Sequence, residues 1–292
     1  MGDDTRDTFR PRRSVLYMPS SNARALEKAR SIPCDGLILD LEDAVSPDAK
    51  ASAREAACAA AASGDYGRRE VTIRVNAADT EWHAADLEAA CQAGPDAIVV
   101  PKVSSTEAVH ALEHALERHG APDRTTLWAM VETPRAMLHA EEIAGASERL
   151  TVLVMGTNDL VKELYAAHLP GRGPILTALS LALLAARSTG KAIVDGVYND
   201  VKDTEGFLAE CRQGRDLGFD GKTLVHPGQV EGANEVFAPS AEAVEEARGL
   251  IQAFEEGQGA GVVTYRGRMV EALHVESAQR VLSIHEAVQA LG

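Results

Sequence analysis

Eight short apolar runs, each followed by a helical stretch, constrain this chain more than any other feature. The runs fall at 14–18, 36–39, 71–75, 96–100, 126–131, 151–155, 191–194 and 221–225. They are too short for helices and apolar along most of their length, so they read as strands buried on both faces. Between them lie stretches of high helix propensity, among them 49–62, 84–93, 106–118 and 203–217. Strand and helix in alternation imply a parallel sheet, and eight repeats imply an α/β TIM (β/α)8 barrel.

The barrel has enough chain to close by about Phe237, giving a catalytic domain of residues 1–238. Residues 239–292 are too many for a tail. They read as a helix at 240–256, a glycine-rich hinge at 257–261, a short extended piece at 262–269 and a helix at 278–291. This predicts a C-terminal helical arm that packs on a neighbour or acts as a lid. Residues 1–13 are polar and charged, unlike a secretory leader. No run approaches the length of a membrane span. Cys34, Cys58, Cys91 and Cys211 form no CxxC pair, which argues against a zinc site or a disulfide framework. A cytoplasmic protein with no membrane partner is expected. The net charge of −15 argues against a nucleic-acid partner, while a local basic cluster can still receive an anionic substrate.

The polar residues at the ends of the strand-like runs carry the chemistry. They are Glu42, Asp43, Arg74, Lys102, Glu132, Asp159, Asp195 and His226. In a (β/α)8 barrel the C-terminal strand ends form the active-site mouth. Glu132 and Asp159 follow successive runs, and two carboxylates plus water suit Mg²⁺. Asp40, Glu42 and Asp43 place three carboxylates within four residues, and Glu42 and Asp43 can hydrogen-bond metal-bound waters. Arg74 can grip a carboxylate with two parallel bonds. Taken singly, each has a plainer reading: Glu132 as a helix cap, Asp159 as a turn acid, Arg74 as the partner of the acidic cluster, His226 as a structural residue.

Motifs along some 230 residues carry a family resemblance. They are Arg13-Ser14-Val15-Leu16-Tyr17 with Pro19, Asp35-Gly36, and Leu39-Asp40-Leu41-Glu42-Asp43-Ala44-Val45. Lys50 with Ala53-Arg54, Arg74-Val75-Asn76 and Val100-Pro101-Lys102 come next. Glu132-Thr133-Pro134, Gly156 with Asp159-Leu160, and Asp195-Gly196-Val197 follow. Gly218-Phe219-Asp220-Gly221-Lys222, His226-Pro227 with Gln229, and Phe237 with Pro239-Ser240 complete the set. In this order they resemble the citrate lyase β-subunit-like family, within the HpcH/HpaI-type aldolases and malyl-CoA lyases. The resemblance implies a trimer-forming barrel, or a dimer of trimers, with Mg²⁺-dependent Claisen-type chemistry on acyl thioesters. Malyl-, citramalyl- or citryl-CoA would yield acetyl-CoA and a 2-oxo acid. It further implies that Glu132 and Asp159 bind Mg²⁺, that Arg74 holds the oxo-acid carboxylate, and that Glu42 and Asp43 order metal waters. Coenzyme A would lie by the first βα loop, where Tyr17, Arg24 and Lys28 are available, with Lys102 a further substrate contact.

The arm is where such a family divides. A catalytic Asp is expected in a Gly-x-Met-[Ile/Val]-Asp pattern, and this chain reads Gly267-Arg268-Met269-Val270-Glu271. Glu271 keeps a carboxylate on a longer side chain, or is a plain surface acid, and a changed substrate or reaction stays open. The leading expectation is a stand-alone carbon–carbon lyase. The alternatives are a citrate lyase subunit working on a carrier-protein thioester, a thioester-free aldolase, and a non-catalytic coenzyme A-binding homologue.

Overall fold

A computed structural model describes residues 10–257 and 261–291. The core of the proposed hinge, residues 258–260, and most of the polar N-terminal stretch, residues 1–9, lie outside the described residues. The chain divides into two compact units, 12–237 and the described part of 1–11 with 238–292.

In the first unit eight parallel strands close into a barrel in sequence order. They are Ser14–Pro19 (β1), Gly36–Asp40 (β2), Glu70–Arg74 (β3), Ala97–Val100 (β4), Thr126–Val131 (β5), Leu150–Met155 (β6), Ala192–Asp195 (β7) and Gly221–Leu224 (β8). The helices between them are Ala23–Ala29 (α1), Lys50–Ser63 (α2), His83–Ala93 (α3), Thr106–Arg118 (α4), Pro134–Leu138 (α5), Ala140–Gly145 (α6), Thr157–Glu163 (α7), Leu176–Ser188 (α8) and Thr204–Leu217 (α9). Val230–Phe237 (α10) closes the unit. The sequence reading placed the strands and most of the helices to within one or two residues. The third strand ends at Arg74 rather than Val75, which makes Arg74 the last residue of the strand.

Side chains alternate between the two faces of each strand, because successive Cβ atoms point to opposite sides. Val15, Ile38, Val99, Trp128, Met130, Val152, Val154 and Val194 fill the barrel interior. Leu16, Leu37, Leu39, Ile73, Ile98, Leu127, Leu153 and Ile193 pack outward under the helices. This parity decides which strand-end residue can reach the mouth. Asp40 shares its face with Ile38, and Glu132 with Met130, so both point inward. Asp195 shares its face with Ile193 and points outward.

The second unit holds Ala241–Glu256 (α11), Val262–Tyr265 (β9), Arg268–Glu271 (β10) and Ala272–Leu291 (α12). The strands pair antiparallel, so the expected single extended piece is a hairpin. Its turn is Arg266-Gly267, at φ 46° and 77°. Two positive φ values in a two-residue turn match the twist of the flanking strands. The last helix starts at Ala272, six residues before the expected 278. Nothing in 272–277 breaks a helix, and His274 Nδ1 accepts the Glu271 N–H at 3.0 Å where the helix begins. Among the described residues no helix is long and apolar enough to cross a membrane.

Candidate active site

The mouth is built around an arginine held by acids. Asp40 and Arg74 are register partners on β2 and β3. Arg74 donates from Nε and Nη2 to the two Asp40 oxygens, both at 2.7 Å. Both side chains are buried, so the pair is desolvated and its geometry is firm. Asp40 also accepts the Glu42 and Ala44 backbone N–H groups, which folds residues 40–44 into a tight turn over the pair. That turn brings Glu42 to 2.6 Å and Asp43 to 3.4 Å from Arg74 Nη1. The Tyr17 ring lies under the guanidinium, 4.8 Å from ring centre to Cζ. Burial pushes the Glu42 carboxyl up to about 7, Arg74 opposes the rise, and Asp43 and Asp40 add to it.

Glu132 comes from the far side of the mouth. It follows β5 and is 2% exposed, which means that its charge has almost no solvent to stabilise it. Oε1 accepts the Lys102 N–H at 2.8 Å. Lys102 stands at φ 54°, a left-handed conformation that only a constrained non-glycine residue holds. The other side of Glu132 needs a glycine. A Cβ on Gly156, just past β6, would stand 2.0 Å from Glu132 Oε2 and 2.4 Å from Glu132 Cβ. Burial drives the Glu132 carboxyl up to about 8; the Lys102 N–H opposes this, and the charges of Glu42 and Asp159 reinforce it. Asp159, half-buried in the first turn of α7, is thus close enough for its charge to be felt at Glu132.

These donors fit a hard divalent cation. The charges of Glu42 and Asp159 both act against that of Glu132, while Arg74 and Lys102 oppose the rise at Glu42 and Glu132. Among the described residues no three His, Cys, Asp or Glu side chains converge as a closed cage. Two carboxylates leaving the other positions to water and substrate is the arrangement Mg²⁺ accepts.

Not every expected residue lies at the mouth. Asp195 does not: its outward carboxylate meets α9, where a Cβ on Gly214 would come within 2.8 Å of it. There it accepts from Arg172 at 2.6 Å and from Lys222 at 3.2 Å, and Lys222 also reaches Glu210 at 2.7 Å. This buried cluster joins β7, β8, α9 and the loop before α8. His226 is exposed and caps the turn Pro227–Gln229, its Nδ1 accepting the Gly228 N–H at 3.0 Å. Tyr17 points inward beneath Arg74, with its hydroxyl 3.9 Å from Met130 Sδ. Arg24 and Lys28 stand exposed on α1, one turn apart. Lys102 is exposed at the mouth. Glu271 belongs to the second unit, half-buried at the end of β10.

Asp40 was missed as a functional residue, although it stood in the acidic run. The signal was parity with Ile38, which turns it inward beside Arg74. Arg172 and Glu210 carried no signal, because their partners are set by tertiary packing.

A closed parallel barrel whose C-terminal mouth gathers buried carboxylates around one arginine defines a (β/α)8-barrel enzyme with an oxygen-rich site. Residues 13–227 match the model of the HpcH/HpaI aldolase/citrate lyase family, and the chain belongs to that family. It is 52% identical to a (3S)-malyl-CoA thioesterase of Cereibacter sphaeroides over 96% of each chain. It is 37% identical to the citrate lyase subunit beta of Escherichia coli, covering 94% of this chain and 93% of that one. The CitE protein of Mycobacterium tuberculosis, solved with magnesium, acetoacetate and coenzyme A, superposes with a TM-score of 0.75 at 28% identity, covering 93% and 96% of the two chains.

Proposed function

We propose that this protein hydrolyses a malyl-type 3-hydroxyacyl-CoA thioester in an Mg²⁺-dependent reaction. The observation that carries the bond broken is the 52% identity, along nearly the whole chain, to relatives named (3S)-malyl-CoA thioesterase. The substrate class is supported by the mouth, in which Arg74 can receive a carboxylate beside the two acids, Glu132 and Asp159, that would hold a metal ion. Glu132 and Asp159 would hold Mg²⁺, which when bound supplies Lewis acidity toward the oxygens of the hydroxy acid. Arg74, fixed from behind by Asp40, presents Nη1 to the free carboxylate of the substrate, in competition with Glu42 and Asp43. Glu42, poised at about 7, takes a proton from the attacking water. The water oxygen bonds to the thioester carbon, the carbon–sulfur bond breaks, and coenzyme A leaves as its thiol after reprotonation. Asp43 orders water beside Glu42, while Tyr17 supports Arg74. Arg24, Lys28 and Lys102 are cations available to the phosphates of coenzyme A.

Carbon–carbon cleavage is the second reading, favoured by the 37% identity to citrate lyase subunit beta. There a base takes the proton of the 3-hydroxyl, the C2–C3 bond breaks, and acetyl-CoA forms once the enolate is reprotonated. On that reading Glu271, at the position where the family resemblance expects a catalytic Asp, would serve that proton. In either case residues 239–292 would act as an arm over the mouth of a neighbouring copy in a cytoplasmic trimer. Incubation of the protein with (3S)-malyl-CoA, in Mg²⁺ and then in EDTA, separates the readings. Malate and free coenzyme A support hydrolysis, and acetyl-CoA with glyoxylate supports cleavage. No product in Mg²⁺ sinks the substrate class. Glu132→Ala and Asp159→Ala should abolish turnover.

A further inference from the structure

Lys50 opens α2 outside the barrel and takes no part in the chemistry described above, yet it is among the most fully used cations in the first unit. It is 6% exposed, which for a lysine demands compensation. Nζ donates to Leu41 O, Glu42 O and Asn76 Oδ1, each at 2.7 Å. An ammonium has three donors, and all three are engaged. The Trp82 ring covers the remaining side, 5.2 Å away.

Its partners link two loops. Leu41 and Glu42 belong to the loop after β2, and Asn76 to the loop after β3, two residues beyond Arg74. Asn76 is itself fixed. Asp86 of α3 accepts both its backbone and side-chain N–H groups, at 3.1 and 2.5 Å. Arg54 of α2 then donates to Asp86 at 2.7 Å. The chain of contacts runs from Arg54 through Asp86, Asn76 and Lys50 to the backbone of Glu42, whose carboxylate meets Arg74.

We propose that Lys50 is a positioning residue: its ammonium ties the loop after β2 to the loop after β3 and thereby sets the Glu42 carboxylate against Arg74. A single point donor with three arms can satisfy three acceptors converging from two loops. Neither an apolar side chain nor a planar guanidinium offers that geometry. Without the ammonium, the buried Leu41 carbonyl and the partly buried Glu42 carbonyl lose a donor, and the turn carrying Glu42 is free to shift. A shift of about 1 Å at a reacting group is enough to cost about 100-fold in turnover.

The catalytic half of this inference rests on the hydrolase reading, whereas the structural half does not. The test is a double-mutant cycle on kcat for (3S)-malyl-CoA with Lys50→Met, Glu42→Gln and the double variant. It is joined to amide hydrogen exchange over residues 40–46 in the unliganded protein. Lys50→Met should lower kcat about 100-fold with KM little changed, and the loss should nearly vanish in the Glu42→Gln background. Exchange in 40–46 should rise while α8 and α9 keep their protection. Additive losses, or unchanged exchange in 40–46, overturn the proposal. If the wild type shows no turnover, the hydrolase reading fails and exchange alone decides for Lys50. Should Lys50→Met not fold, Lys50→Arg, which keeps the charge but not the tripod, carries the same cycle and the same exchange test.

Discussion

Gly156→Ala should damage the mouth without removing a single polar group from it. The added Cβ would lie 2.0 Å from Glu132 Oε2 and 2.4 Å from Glu132 Cβ. Carbon atoms in contact sit about 3.5–4.0 Å apart, so a movement of roughly 1 Å or more is required. The carboxylate oxygen can swing away, but Glu132 Cβ is fixed to β5 and cannot. Relief must come from the strand end of β5 or the turn into α7, and Asp159 rides on that turn. Overpacking of this kind costs about 1–3 kcal/mol. Both proposed Mg²⁺ ligands are displaced together, and a displacement near 1 Å is worth about 100-fold in rate. Thermal unfolding should therefore show a modest drop in Tm, while calorimetric titration shows a large loss of Mg²⁺ affinity and turnover falls about 100-fold. An Ala variant with unchanged Tm and wild-type Mg²⁺ affinity would refute the claim that the bare backbone at 156 is what lets Glu132 stand where it does.

Three other outcomes follow from the same geometry. Glu132→Gln should stabilise the metal-free protein at pH 8.5 but not at pH 5. The carboxyl sits at about 8 folded against 4.5 for an ordinary glutamate, so the folded state binds the extra proton and wild-type stability falls as pH climbs between those values. The gap at pH 8.5 reaches at most about 5 kcal/mol, read by urea unfolding in EDTA; equal stabilities at both pH values would refute it. Lys222→Met should destabilise by about 3–5 kcal/mol, since Asp195 and Glu210 lose a cation at a fully buried position, and denaturant melts check this. Tyr17→Phe should keep nearly full turnover, whereas Tyr17→Leu should raise KM for the thioester several-fold, because the ring face under Arg74 contributes about 0.5–2 kcal/mol.

How far the sequence could be read depended on the range of the forces involved. The strands were legible because burial on both faces leaves short, unbroken apolar runs, and such a run needs no knowledge of its neighbours. The gathering of Glu132, Arg74 and Glu42 at the mouth was legible because each stands at or just past the end of such a run, where a barrel brings its strand ends together. Asp195 had the same appearance and a different fate. One residue of parity turns a strand-end side chain from the mouth to the helix layer, and the outer layer offered it Arg172 and Lys222. Lys50 stood in a recognised motif without a role, since its three acceptors come from two separate loops. The hairpin of the second unit was read only as extended, because its turn, Arg266-Gly267, lacks the Asn-Gly or Asp-Gly signal that usually marks one.

The central claim is that this acidic mouth breaks the thioester bond of a malyl-type coenzyme A ester. Turnover of (3S)-malyl-CoA with Mg²⁺ in ¹⁸O-water, followed by mass spectrometry, tests it most directly. The account expects malate carrying one ¹⁸O in the newly formed carboxylate, with free coenzyme A and no acetyl-CoA. Acetyl-CoA and glyoxylate without labelled malate would contradict it and move the broken bond to C2–C3.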